Sequence, residues 1–198
     1  MDSFSPKSYY DSLLIMDELP ESLRPISFIE YHLFSYLGCV LALFQGNAVS
    51  NWGYSYTVTE NGFPFSRDLQ NSIDMLEKKG FIFVDENGLF SPNPELVTKE
   101  IENFYFVDEI PKRRELIKTS LECALSIPPG AIRYAIKDTP GFILNKTISQ
   151  AALLLEEDDI DLLYKEYEVI SELIGKENKD LLSPAVIWLS ARVMRSEG

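Results

Sequence analysis

The stretch SRDLQNSIDMLEKKGFIFVDENGLFSP, residues 66–92, decides how the rest of the chain is read. Ser66 is placed to cap a helix, and Leu69, Ile73 and Leu76 recur at three- and four-residue steps to make one apolar face. Lys78 and Lys79 fall in the last turn, where the helix dipole favours cations, and Gly80 supplies the left-handed stop. The spacing predicts a helix over 66–79. Directly after it, FIFV and LFS flank Asp85-Glu86-Asn87-Gly88, a connector whose Asn-Gly pair tolerates positive φ, which predicts a hairpin across 81–91.

Working outward, Pro25 suits a first helical position, and Ile26, Ile29, Leu33, Leu37, Val40, Leu41 and Phe44 keep helical spacing until Gly46-Asn47. This predicts a core helix over 26–45. Its charge-free run, Tyr31 to Phe44, is shorter than the roughly 20 residues a bilayer span needs. In NWGYSYTVTENGFPF, residues 51–65, Trp52, Tyr54, Tyr56 and Val58 alternate like a strand, yet the same residues suit a short helix with its aromatics inward. The order of elements is that of a winged helix-turn-helix with a β-hairpin wing, residues 25–96, with 66–79 in the recognition-helix position. Residues 1–24 read as a short helix or docking arm. Beyond Pro94, helices are expected over about 95–106, 112–126, 129–137, 143–156, 159–174 and 184–195, so the fold class is mainly α, with a C-terminal helical region over 97–198 packed on the winged helix.

Charge narrows the partners. Eighteen Lys and Arg against 31 Asp and Glu give a formal net charge of −13, a field that repels polyphosphates and anionic lipid surfaces. In 66–79 itself, Arg67, Lys78 and Lys79 are balanced by Asp68, Asp74 and Glu77, and the wing tip adds Asp85 and Glu86. Elements that grip DNA carry the opposite balance, so the exposed faces here are expected to meet protein. Cys39 and Cys123 lie in apolar runs without a CxxC motif, and the acidic N-terminus lacks a secretory pattern. A reducing, cytoplasmic setting is the expectation.

The search for chemistry returns little. His32, the single histidine, lies in the uncharged helical run, where a satisfied core role is favoured over general acid-base work. No GxSxG elbow, GxGxxG or Walker-type loop is present. The acidic run Glu156, Glu157, Asp158, Asp159 and Asp161 lacks calcium-loop spacing and reads as solvated charge at a helix start. The cluster Lys112, Arg113, Arg114 and Lys118 is offset by Asp108, Glu109 and Glu115 and reads the same way. The expectation is a protein that is not an enzyme, with no catalytic residues, no metal and no cofactor. Partner-binding candidates are Tyr9, Tyr10, Leu13 and Leu14 in the N-terminal arm, for which core packing is the equal alternative. Arg67, Gln70, Asn71, Asp74 and Lys78 on the outer face of 66–79 form the second group.

RPISFIEYHLFSYLGCVLALF followed by NWGYSYTVTENGFPFSRDLQNSIDMLEKKGFIFVDENGLFSPNPE, about residues 24–96, resembles the middle component of ABC-type three-component bacterial defence systems, the LmuC-like subunits of Lamassu. The features carrying the resemblance are the Arg-Pro opening of the core helix, the tryptophan region after a short break, the Pro-Phe-Ser helix start, and Leu-x-x-x-Gly-Phe-Ile running into the wing. The chain is also similar to the winged-helix partners of bacterial SMC complexes, ScpB and MukE, which carry two winged helices in tandem where one is legible here. The resemblance implies a non-catalytic accessory subunit joining an SMC- or Rad50-like ATPase to an effector nuclease in anti-phage or anti-plasmid defence. Such a subunit would meet DNA only through the complex, and no membrane. No functional residue is carried over from it. The alternatives are a winged-helix transcription regulator binding DNA as a homodimer, and an enzyme of unfamiliar type.

Overall fold

Ser5 accepts the Ser8 amide and Pro6 sits at the first helical position, so the chain enters its first helix, α1 (Pro6–Glu18), almost at once. The computed structural model describes residues 5–104, 106–137, 153–175 and 180–196. Within α1, Ser8, Tyr9 and every residue from Asp11 to Met16 are buried. Its buried set includes the polar Ser8, Asp11 and Ser12 as well as the apolar run, so the helix is surrounded by the rest of the chain and lies inside the core. The docking-arm reading of residues 1–24 gives way to its alternative, because α1 packs against helices from both halves of the chain.

The second helix, α2 (Phe28–Phe44), begins in a capping box: Ser27 Oγ accepts the Glu30 amide and Glu30 Oε2 accepts the Ser27 amide at 2.7 Å. Every residue from Tyr31 to Phe44 is buried, and no helix among the described residues is long and apolar enough to cross a membrane. In the ambiguous stretch after it, Trp52 to Tyr56 lie in neither a helix nor a strand. A 3-10 turn over Val49–Asn51 leads to the strand β1 (Thr57–Val58), which pairs antiparallel with β2 (Pro64–Phe65). Trp52, Tyr54 and Tyr56 point inward with period two although only 57–58 forms ladder bonds.

Helix α3 (Arg67–Lys78) follows, capped by Ser66, and Gly80 takes φ +77 to end it. The strands β3 (Ile82–Val84) and β4 (Phe90–Pro92) form the second antiparallel hairpin, and Ile26, just before α2, bridges to Phe90 at its free edge. Asp85 Oδ1 accepts the Asn87 and Leu89 amides and Gly88 takes φ +75, so one carboxylate builds the turn. Five more helices are described: α4 (Pro94–Glu102), α5 (Ile110–Ser126), α6 (Pro129–Lys137), α7 (Glu157–Ile174) and α8 (Leu182–Ser196). The helix expected over 143–156 falls for the most part outside the described residues. The architecture is mainly α-helical with two small antiparallel hairpins.

One hydrophobic cluster runs from Tyr9 through α2, α3, α5 and α6 to Leu189, crossing the expected boundaries at 24 and 96. Its tightest point is where α2 meets α5. A Cβ on Gly38 would stand 3.1 Å from Ile117 Cδ1 and 3.4 Å from the Trp52 ring, so any larger residue requires Ile117 to give way by a few tenths of an ångström. Cys39 and Cys123 are buried thiols; burial, then Glu122, pushes Cys123 up to about 12.

Candidate functional site

Asp11 stands in the middle of α1 with no solvent exposure, a position that would be very costly without compensation. Arg113, from the first turns of α5, supplies it. Its Nε donates to Asp11 Oδ1 at 2.7 Å and its Nη2 to Oδ2 at 2.5 Å. Burial works against the charge on Arg113, and the Asp11 carboxylate more than offsets it, so the guanidinium holds its proton more firmly than usual. This corrects the solvated reading for two members of the 112–118 cluster: Arg113 is buried and Arg114 is tied to Asp17 and Glu18 of α1, while Lys112 and Lys118 are exposed.

Tyr54 OH donates to Asp11 Oδ2 at 2.5 Å. Its one proton committed there, Tyr54 accepts from Ser35 Oγ at 2.8 Å, and Ser35 in turn accepts from Tyr56 OH at 2.7 Å. Trp52 Nε1 donates to Tyr56 OH at 3.1 Å. Every donor therefore points along one chain toward the carboxylate. Burial first, and then the Asp11 charge on Tyr54, hold both phenols well above their ordinary range as neutral donors. The circuit closes on itself, because the Arg113 guanidinium lies 4.2 Å from the Trp52 ring centroid, a cation–π contact. Helices α1, α2 and α5 and the 52–56 segment each contribute a member.

Arg113 Nη1 is the exception, with no hydrogen-bond partner among the described residues. Arg113 lines a cleft of about 410 Å³ between the 47–52 loop and the start of α5. Ala42, Leu43, Val49 and Leu116 give it apolar walls. Lys7 crosses it, bonding the Asn51 carbonyl at 3.0 Å and Glu109 at 2.8 Å, and Lys112 reaches Asn47 Oδ1 at 2.9 Å. The Lys7 bond, followed by its charge, holds Glu109 below the usual carboxylate range.

His32 is a structural member of the α3 start. Its Nδ1 accepts the Ser66 amide at 3.2 Å, which places the ring proton on Nε2, 3.4 Å from Gln70 Oε1. Phe28 and Phe65 pack against the ring at 4.6 and 4.9 Å between centroids. Burial pushes His32 down to about 4, so the imidazole is neutral near pH 7.

The two groups of sequence candidates separate. Tyr9, Leu13 and Leu14 are buried within the chain, Tyr9 OH donating to Glu100 at 2.8 Å, and Tyr10 packs on Phe104 with ring centroids 4.6 Å apart. The core-packing alternative is where the structure puts them. Arg67 and Lys78 are exposed on α3, with Asn71 and Asp74 half-exposed beside them, while Gln70 spends its amide on Asp74 and His32. Next to this face, β3 turns Phe83 and Val84 outward at 56% and 37% exposure. Lys79 is drawn back over the Tyr9 ring at 5.3 Å.

The spacing of Trp52, Tyr54 and Tyr56 suits a strand and a short helix alike, and neither reading shows the ring they complete. The available signal was Asp11 alone within SYYDSLLIM, a charge that must find a cation; which cation is tertiary information. In the acidic run, Asp159 is buried instead of solvated, and no three His, Cys, Asp or Glu side chains among the described residues are grouped to hold a metal. Comparisons with family models, curated proteins and solved structures returned no match to this chain.

Proposed function

We propose that this chain is a non-catalytic interaction subunit whose partner-binding surface is the outer face of α3 together with β3 and the acidic hairpin tip. The observation that carries the reading is the exposure of Phe83 and Val84, on opposite faces of β3, beside Asp85 and Glu86. A DNA-reading winged helix needs cations at the place these residues occupy. In that reading α2 and α3 supply helices of the winged helix over 25–96, with β3 and β4 as its wing. An exposed aromatic and a branched aliphatic rimmed by carboxylates form the composition of a protein-binding patch.

The sequence resemblance supplies the class of partner: an SMC- or Rad50-like ATPase, with an effector nuclease bridged to it, in anti-phage or anti-plasmid defence. The test is a tagged pull-down from cells expressing the chain with its chromosomal neighbours, read by mass spectrometry and native mass. A coiled-coil ATPase and a third subunit recovered in fixed ratio support the reading. Their loss with Phe83→Asp, while the variant melts like the parent, would place the contact on the wing. A lone homodimer that shifts duplex DNA at physiological salt would overturn it in favour of the transcription-regulator reading.

A further inference from the structure

The cleft beside Arg113 belongs neither to the α3–wing surface nor to the packing of the core. Its volume of about 410 Å³ falls in the range of small-ligand pockets, roughly 300–1,000 Å³. We propose that it binds a small monocarboxylate with an apolar ring or branched tail, the carboxylate held by Arg113 Nη1 and Lys112 Nζ and the tail lying on Leu43, Val49 and Leu116.

The donors are the first argument. Asp11 takes two of the three guanidinium nitrogens of Arg113 and fixes the plane of the group, so Nη1 is held in place before any ligand arrives. A donor already oriented loses little freedom on binding. Lys112 bonds only a neutral amide oxygen, Asn47 Oδ1, and keeps two further N–H groups. Lys7, by contrast, is neutralised by Glu109 and also holds the Asn51 carbonyl.

The charge balance is the second. The cleft lining includes Lys7, Lys112 and Arg113, and facing them are Asp108 and Glu109 in the lining and Asp11 behind it. Three cations meet three carboxylates, so the lining carries no net charge and a monoanion relies on the oriented Arg113 Nη1 and Lys112 Nζ donors, with no surplus positive field. A phosphate dianion would add a second charge beside Asp108 and Glu109, where like charges repel. The walls are the third argument: Ala42, Leu43, Val49 and Leu116 can cover an apolar tail.

The experiment follows the two indole N–H resonances of the full chain while benzoate is titrated in, with benzamide and inorganic phosphate as controls. Trp52 lines the cleft, and Trp188, bonded to Glu166 in α7, serves as the internal reference. A saturable shift of Trp52 alone, given by benzoate and not by benzamide or phosphate, is the expected result. Lys112→Glu, at an exposed position, should weaken it about tenfold or more, the loss of one charge-assisted bond. Val49→Trp should abolish it by filling the cleft. No movement of Trp52 up to the solubility of benzoate, an equal response to benzamide or phosphate, or a titration unchanged by both substitutions would overturn the proposal. None of these readouts depends on the α3–wing reading, so either can fail without the other.

Discussion

The seam between α1 and α5 and the face of α3 with its hairpin are built from the same residue types and use them in opposite ways. In the seam, Asp11 and Arg113 are buried and matched, the carboxylate accepting from Arg113 Nε, Arg113 Nη2 and Tyr54 OH. On the α3 face, Arg67 and Lys78 are exposed to water, and the half-exposed Asp74 accepts, among the described residues, only from Gln70 of its own helix. Burial decides whether a charge is a structural member or an available contact, and the sequence gives no direct measure of burial for a single charged residue.

The seam carries the largest expected effect. Arg113→Met removes the cation and leaves Asp11 charged in an interior that cannot solvate it, which should cost about 3–5 kcal/mol. The double variant Asp11→Leu with Arg113→Met should recover most of that loss, because both desolvated charges leave together. Urea unfolding of the single and double variants checks this. A single variant within about 1 kcal/mol of the parent would break the comparison, since it would make the pair no different from a surface one.

His32 gives the second effect, and its sign follows from the direction of the shift. Folded His32 titrates near 4 and unfolded histidine near 6.5, so between those values the unfolded chain binds the extra proton. Its contribution is complete above about pH 6.5 and is lost as the pH falls toward 4, on the order of 3 kcal/mol over the window. Carboxylates titrate in the same range, so the measurement is a difference: unfolding free energies of parent and His32→Gln at pH 7, 5.5 and 4.5. The gap between the two proteins should narrow as the pH drops. A constant gap would mean the imidazole is not held neutral by its packing against Phe28 and Phe65.

What was legible beforehand follows the same division. Local signals placed α2, α3 and the second hairpin within a few residues, because caps, glycine stops and apolar spacing act over four or five positions. They could not show that α1 is a core helix, since Tyr9 to Met16 reads equally as a sticky arm until α5 is folded against it. Arg113 was hidden for the same reason: a basic residue beside Lys112 and Arg114 at a helix start looks solvated, and its partner lies 102 positions away. The spacing of Trp52, Tyr54 and Tyr56 suits a strand and a short helix alike, and the hydroxyls of the two tyrosines are organised by Ser35 and Asp11, which no spacing rule connects to them.

Arg114 refines the comparison within the seam. It bonds Asp17 and Glu18 at the rim, where its side chain keeps 32% exposure. Arg114→Ala should cost less than about 1 kcal/mol, and the cost should shrink in 1 M salt, where the Debye length is about 3 Å. The Arg113→Met deficit should persist in that salt, since buried charges are screened far less. Denaturation at low and high salt separates the two arginines, and equal salt sensitivity would contradict the difference in burial.

The smallest effects belong to α3 and the hairpin, and there they discriminate most. Alanine at Arg67, Asn71 or Lys78 should change stability by no more than about 0.5 kcal/mol, the usual size for a surface position without special contacts. Gln70→Ala should cost more, about 1 kcal/mol, because Gln70 Oε1 faces the His32 Nε2 proton, and an unpaired N–H in that apolar setting is penalised. Gln70 thus groups with the interior although it sits in the same helix turn as its exposed neighbours. Thermal melts of the four variants check this ordering. If Gln70→Ala is silent, His32 has found another acceptor and the α3 start is less fixed than its hydrogen bonds imply. If Arg67, Asn71 or Lys78 instead proves costly, that face is already covered by the chain itself and the contact with a protein partner must lie on Phe83 and Val84 alone.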